Sequence, residues 1–287
     1  VRKIAHIVNP VVVGETSDLF WVQPVTFETM RIARAFAAGR VEVELLATHY
    51  PEDGALVPDD FLRAPVLERS VLDIGRFQLK RKYPLLRDVL DRLYHATDAE
   101  YLIYANVDIC VMPYFYVAVN ALIDGGCQAF VINRRTISDK YRSLDEVPLM
   151  YGEVGSKHEG HDCFVFRRDA YPAYTLGDVC IGIPYVGRAL IWNLFLRAER
   201  FEELTDNHFT FHIGAGNERT LGEDVYQDYR SHNKGEAAKA KAALEASGRN
   251  AKLSAVFARY PLEFDLVTPR PRKRLLSLAG LRGVLRG

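Results

Sequence analysis

The 287-residue chain lacks paired cysteines, long apolar runs and any excess of one charge. Cys110, Cys127, Cys163 and Cys180 are widely spaced and form no C-x-x-C pair, which points to buried reduced thiols and away from a zinc site. No window approaches the ~18 consecutive apolar residues that a membrane-spanning helix needs. The opening Val-Arg-Lys-Ile-Ala-His-Ile-Val has charges but neither the apolar core nor the cleavage site of a secretory signal, so the reading is of a cytoplasmic protein. Lys plus Arg equal Asp plus Glu at 37 each, and net charge therefore argues for no partner, nucleic acid included. No G-x-G-x-x-G follows the first apolar run, and neither G-x-x-x-x-G-K-[ST] nor G-x-S-x-G occurs. A dinucleotide fingerprint, a P-loop and a serine hydrolase elbow all go unsupported.

What is present is a well-packed globular composition, 48% hydrophobic with 15 Phe and 15 Tyr. Lys3 to Val8 reads as a strand ending at Asn9-Pro10. Thr26 is placed to cap a helix through Met30, Ile32, Ala33, Phe36 and Ala37, with Gly39 as its stop. Val41 to Leu46 reads as a second strand, so the chain opens β-α-β, a unit that favours a parallel sheet with a right-handed crossover. A loop rich in Pro, Asp and Gly spans His49 to Pro65, and Pro84 opens a helix over Leu85 to Tyr94.

That helix leads into Tyr101-Leu102-Ile103-Tyr104-Ala105-Asn106-Val107-Asp108, the most apolar strand of the chain, closed by an amide and a carboxylate. In open α/β sheets ligands sit beyond the carboxyl ends of strands, and strand alternation would aim Asn106 and Asp108 together at such a ligand. A turn capping the helix from Pro113 to Asp124 explains the same two residues equally well. A strand over Ala129 to Asn133 follows, with Arg134 and Arg135 at its carboxyl end; only one of the two can face a site if the strand continues. Cys163 to Phe166 reads as a strand, Arg188 to Leu196 as a buried helix, and His208-Phe209-Thr210-Phe211-His212 as a strand with both histidines on one face. Helices are expected over Glu223 to Arg230, Lys234 to Ala246 and Leu253 to Tyr260.

Asp108, Asp162, His208 and His212 each begin or end a short apolar strand, and acids and imidazoles so supplied suit a divalent cation that keeps waters and a substrate phosphate. A hydrogen-bonded, half-buried strand histidine is the plainer alternative. Lys80-Arg81-Lys82 has the composition of a diphosphate contact, and equally that of a solvated surface before a helix.

The β-α-β opening, the strand ending Asn106-Val107-Asp108, Gly160-His161-Asp162 before a later strand and the late His208-Phe209-Thr210-Phe211-His212 together resemble a nucleotide-sugar glycosyltransferase of the GT-A fold over about residues 3–215. The resemblance implies an α/β fold with a mostly parallel central sheet flanked by helices, a Rossmann-like nucleotide-binding half and a helical C-terminal extension. It implies a nucleotide-sugar donor, a divalent metal (Mn2+ or Mg2+), and a glycan or lipid-linked acceptor in polysaccharide or glycoconjugate synthesis. Asp108 would be the metal-binding Asp of the D-x-D motif, and His212, closer to Gly214-Ala215-Gly216, a better late ligand than His208. Asn106 departs from the first Asp of that motif. Asn9, Lys80, Arg81, Asn106, Arg134 and Arg135 would contact the donor, and Asp162 would serve as general base if the reaction inverts. A noncatalytic nucleotide-sugar or glycan-binding protein and a nucleotidyltransferase are the competing readings.

The expected organisation is a catalytic domain over 1–222, a helical extension over 223–269 and a tail over 270–287. The tail carries six basic and no acidic residues, with Leu275, Leu278, Leu281 and Leu285 at helical spacing. Such a stripe beside basic charge suits peripheral contact with an anionic membrane, docking on the acidic body, or a solvated end.

Overall fold

The computed structural model describes residues 1–214, 226–248 and 251–263. The chain runs through β1 (Arg2–Val8), α1 (Leu19–Ala37), β2 (Val41–Ala47), β3 (Leu62–Arg63), α2 (Leu86–Ala96), β4 (Tyr101–Ala105), β5 (Cys110–Val111), α3 (Phe115–Asp124), β6 (Ala129–Ile132) and β7 (Arg135–Ile137). It continues through α4 (Val147–Tyr151), β8 (Ser156–Lys157), β9 (Cys163–Arg167), α5 (Val186–Arg197), β10 (Phe201–Leu204), β11 (Thr210–Ile213), α6 (Gln227–Ala246) and α7 (Ala251–Arg259).

Seven strands form the central sheet in the order β10-β6-β9-β4-β1-β2-β3. All neighbours are parallel except at β9, which runs antiparallel to β4 and β6. Alternation along β4 sends Leu102 and Tyr104 into one buried layer, shared with residues of α2, α5, α6 and α7. It sends Tyr101, Ile103 and Ala105 into the other, shared with α1 and α3. A strand covered on both faces has no polar positions to spare, which is why β4 reads as an unbroken apolar run. Ala237, Leu244, Leu253 and Val256 place α6 and α7 within the same core layer as the sheet.

A second sheet of four short strands, β5-β11-β7-β8, grows directly from the first. β5 follows the turn that ends β4, and β7 follows β6 after two residues, so this sheet stands beyond the carboxyl ends of the central strands.

Several expectations from sequence are corrected here. Helix α1 begins at Leu19, so Thr26 is a buried interior residue rather than a cap. Pro24 inside the helix removes a hydrogen bond, a loss of about 3 kcal/mol, but Val22 and Val25 on the same turns are buried against Cys110, Met112 and Phe211. Strand β10 went unread because Phe-Glu-Glu-Leu is polar; it is a half-buried edge strand beside β6. The two helices expected on either side of Ser231 are one, α6, running from Gln227. Residues 215–225 and the basic tail lie outside the described residues.

Candidate functional site

Strand β1 pairs with β2 on one side and β4 on the other, so the chain leaves β1 in one direction for β2 and β3 and returns on the opposite side as β4. Crossovers diverge at that point and leave a crevice at the carboxyl ends of β1 and β4, where open α/β sheets bind ligands. Asn9, Asn106 and Asp108 all follow those two ends.

Strand β4 stops at Ala105, and the Ile109 N–H closes a turn on the Asn106 carbonyl at 3.1 Å. The simple alternation expected for Asn106 and Asp108 is therefore replaced by turn geometry. The Asn106 carboxamide oxygen accepts from the buried Tyr104 hydroxyl at 2.8 Å. Asp108 is aimed at β11, because β11 pairs antiparallel with β5 through Phe211 and Cys110 and so brings His212 alongside.

The Asp108–His212 contact has an instructive chemistry. His212 Nδ1 lies 2.9 Å from the Gly214 carbonyl, which can only accept, so the Nδ1 atom carries the proton. Gly214 makes this possible with φ of +76°, a left-handed turn suited to glycine. In the neutral ring, Nε2 then presents a lone pair to Asp108 Oδ2 at 3.3 Å. Two acceptors facing one another need a proton or a cation between them. The other carboxylate oxygen, Oδ1, is buried without a hydrogen-bond partner. An imidazole lone pair and an orphaned carboxylate oxygen fit a divalent cation. Among the described residues no group of three or more His, Cys, Asp or Glu is arranged to hold a metal ion, so protein would supply two ligands and phosphate or water the rest.

Asp162 stands on the next element of the same cluster. Its Oδ1 accepts from the Arg134 guanidinium at 3.0 Å, and its Oδ2 from the Arg134 backbone N–H at 3.2 Å, with His158 Nδ1 at 3.3 Å. Burial opposes its ionisation, but His158 and Arg134 outweigh burial and hold the carboxyl at about 2. Such a carboxylate is a weak proton acceptor near neutral pH. Burial likewise opposes the charge on Asp108; a proton on His212 Nε2, together with the Arg134 charge, would outweigh burial and the repulsion from Asp162 and bring it below its ordinary value, and a cation between the two groups would act in the same direction. Arg134, Asp108, Asp162 and His212 are thus one electrostatic unit.

Other residues marked in the sequence fall elsewhere. Arg135 turns the opposite way from Arg134, bonding the Val154 and Gly155 carbonyls and Asp206. His208 precedes β11; its half-buried ring is depressed by desolvation and the Arg135 charge, and it makes no hydrogen bond to Asp108 or His212. The Asn9 amide donates to the Thr48 carbonyl at 2.7 Å, tying the ends of β1 and β2. Lys80 and Arg81 are exposed on the loop before α2. Three contributors at this edge were missed: Gln23, which bonds both the N–H and the carbonyl of Val11; Asp53, which accepts the Val12 N–H at 2.7 Å; and Tyr104. Only Pro51-Glu52-Asp53-Gly54, a polar run just after β2, offered a signal for one of them.

No family model and no curated relative matches the sequence. Solved structures do resemble it. TarS residues 1–349 from S. aureus, in complex with UDP-GlcNAc, is similar at a TM-score of 0.52 and 11% identity, covering 90% of this chain and 71% of that one. The same protein in complex with UDP gives 0.50 and 9%, covering 90% and 70%. Glucosyl-3-phosphoglycerate synthase from Mycobacterium tuberculosis gives 0.47 and 14%, covering 83% and 80%. The likeness to TarS is one of fold: this chain has the GT-A-like α/β architecture, with its mostly parallel sheet flanked by helices.

Proposed function

We propose that the protein transfers a sugar from a nucleotide-sugar donor to an acceptor hydroxyl, assisted by a divalent cation, Mn2+ or Mg2+, held by Asp108 and His212. The observation that carries this reading is the pair of facing acceptors, His212 Nε2 and Asp108 Oδ2, beside an orphaned carboxylate oxygen at the switch point of the sheet. When bound, the cation supplies positive charge where the leaving diphosphate becomes more negative. His212 is the imidazole ligand in preference to His208.

The donor would lie across the carboxyl ends of β2, β1 and β4. Strands are spaced about 4.8 Å apart, so the end of β2 stands ~10 Å from the Asp108 turn, enough for a nucleoside with its phosphates. Asn9 and Asn106 flank that path, Lys80 and Arg81 approach it from the loop before α2, and Arg134 adds charge beside Asp108. With its oxygen taken by Tyr104, Asn106 turns its amide N–H groups towards the ligand, as a phosphate or ribose oxygen requires. Asp162 is needed for turnover more than for donor binding. Its bonds to Arg134 favour a role in fixing that guanidinium over one as the acceptor's base.

A glycan or lipid-linked acceptor fits this reading, and the basic tail would bring the site to an anionic membrane. Flotation of the full chain and of residues 1–269 with anionic liposomes tests the latter; equal behaviour of the two sinks it. No helix among the described residues is long and apolar enough to cross a membrane. Four buried free thiols support a reducing, cytoplasmic setting.

A thermal-shift screen of UDP-, GDP-, CMP- and dTDP-sugars, with and without Mn2+, tests the central claim, since a ligand of the native state raises its melting temperature. One donor class should stabilise the protein, and more so with the cation. Indifference to every nucleotide sugar, or a shift unchanged by EDTA, overturns it.

A further inference from the structure

Residues 74–83 contain neither helix nor strand, yet their backbone is fixed from the far end of the chain. Tyr229, in the first turn of α6 and fully buried, stacks on Phe77 with ring centroids 4.1 Å apart. Its hydroxyl accepts the Arg81 N–H at 2.7 Å and donates to the Leu79 carbonyl. The Asp228 carboxylate accepts the Gln78 N–H at 3.0 Å. The ring of Tyr226 lies 5.3 Å from the Arg81 guanidinium.

This loop carries Arg76, Lys80, Arg81 and Lys82, all exposed. Among the described residues only Lys82 has a carboxylate partner, Glu52 at 2.6 Å. Arg76, Lys80 and Arg81 thus stand on one short loop and, among the described residues, have no carboxylate partner. Gathering like charges on one loop adds repulsion, which a bound anion relieves. The loop also reaches the right edge: Lys82, next to Arg81, bonds Glu52, whose neighbour Asp53 holds the Val12 backbone just past β1, so this end of the loop stands beside the carboxyl ends of β1 and β2.

We propose that Tyr229 is a positioning residue for the donor, holding Lys80 and Arg81 ready for the anionic part of a nucleotide that the residue itself never touches. The inference rests on the nucleotide-sugar reading above and gives α6 a part in it: the helix is the support of a charged binding loop.

Tyr229→Phe keeps the stack on Phe77 and deletes both hydroxyl bonds. Binding of UDP, GDP, CDP and dTDP, each with Mn2+, is measured by calorimetry at low and high salt for the wild type, Tyr229→Phe, Lys80→Ala/Arg81→Ala and the triple variant. Tyr229→Phe should weaken the tightest of the four about tenfold and flatten its salt dependence. In the Lys80→Ala/Arg81→Ala background the same change should cost almost nothing, because the residues act as one unit. Asp228→Asn, a milder loosening of the loop, should move affinity in the same direction. A folded Tyr229→Phe protein with unchanged affinity overturns the proposal, and so does an equal loss in both backgrounds, which marks a general structural role. If none of the four binds the wild type, the donor reading itself falls and takes this inference with it.

Discussion

Two of the histidine–carboxylate pairs in this molecule differ in how they are completed. His161 Nε2 meets Glu203 Oε1 at 2.9 Å, and Glu203 Oε2 accepts from both Arg259 and the Tyr260 hydroxyl at 2.8 Å. Every oxygen of that carboxylate is used, and the His161 contact, working with Tyr260 and Arg259 against desolvation, holds the acid at about 2. It is a cross-link that fastens α7 and β10 to the loop before β9. His212 Nε2 and Asp108 Oδ2 face each other at 3.3 Å, lone pair against lone pair when the ring is neutral, and among the described residues Asp108 Oδ1 has no hydrogen-bond partner. A satisfied pair stabilises the fold. On the proposed reading the unsatisfied one is kept open for a ligand, since burying an unpartnered acceptor costs about 1–3 kcal/mol.

The strongest way to break this contrast is to remove one member of each pair. Asp108→Ala or His212→Ala should lower metal-dependent transfer about a thousandfold and abolish Mn2+ stabilisation, while leaving the melting temperature without metal unchanged or higher. His208→Ala should cost much less. Equal losses at the two histidines, or transfer that survives EDTA, would break the assignment.

His6 sharpens the comparison from another side, being a buried histidine with no carboxylate at all. Among the described residues its hydrogen-bond partner is the Tyr116 hydroxyl, at 2.9 Å, and burial pushes its pKa down to about 3. The unfolded chain then binds a proton near pH 6.5 that the folded chain refuses until about 3, so stability falls as pH drops through that window. The expected loss between pH 7 and 4 is about 3 kcal/mol, and His6→Gln should flatten it in urea melts taken over that range. A pH response identical to wild type would show that His6 is not the source.

Glu203→Ala should act on the fold alone, destabilising it by about 2 kcal/mol and retaining transfer once folded. Loss of turnover in a folded Glu203→Ala protein would mean that the cross-link also shapes the site. Asp162→Asn completes the series. It keeps the shape but weakens the hold on Arg134, so kcat should fall about tenfold or more with donor affinity nearly intact, and parental turnover would remove Asp162 from the mechanism. Because the Asp162 pKa is depressed to about 2, the stability its charge confers is complete above about pH 4 and fades as pH falls towards 2. The Asn variant should lack that acid-side loss.

The apolar run at β4 and the β1-α1-β2 opening were readable because a strand covered on both faces, or a helix packed by one, must repeat its apolar residues at a fixed period. Asp108 and Arg134 were readable for a related reason: polar side chains directly after such a run fall at the sheet's carboxyl edge. The early start of α1 was hidden by Pro24, whose local cost is overcome by burial of distant neighbours. Strand β10 was hidden because its two acids break any apolar pattern, and the partners that bury Glu203, His161 and Arg259, are far away in sequence.

By itself, then, the sequence determined the central layers and the edge at which polar groups collect, since both depend on periodicities local to each segment. Only the tertiary structure placed His212, and not His208, beside Asp108, because that placement depends on the β5–β11 pairing across some hundred residues, while the carbonyl of Gly214 fixes the tautomer. Only it attached the basic loop to Tyr229, 148 residues from Arg81. Contacts between segments so distant follow from how the layers stack, and no pattern within either segment encodes the other.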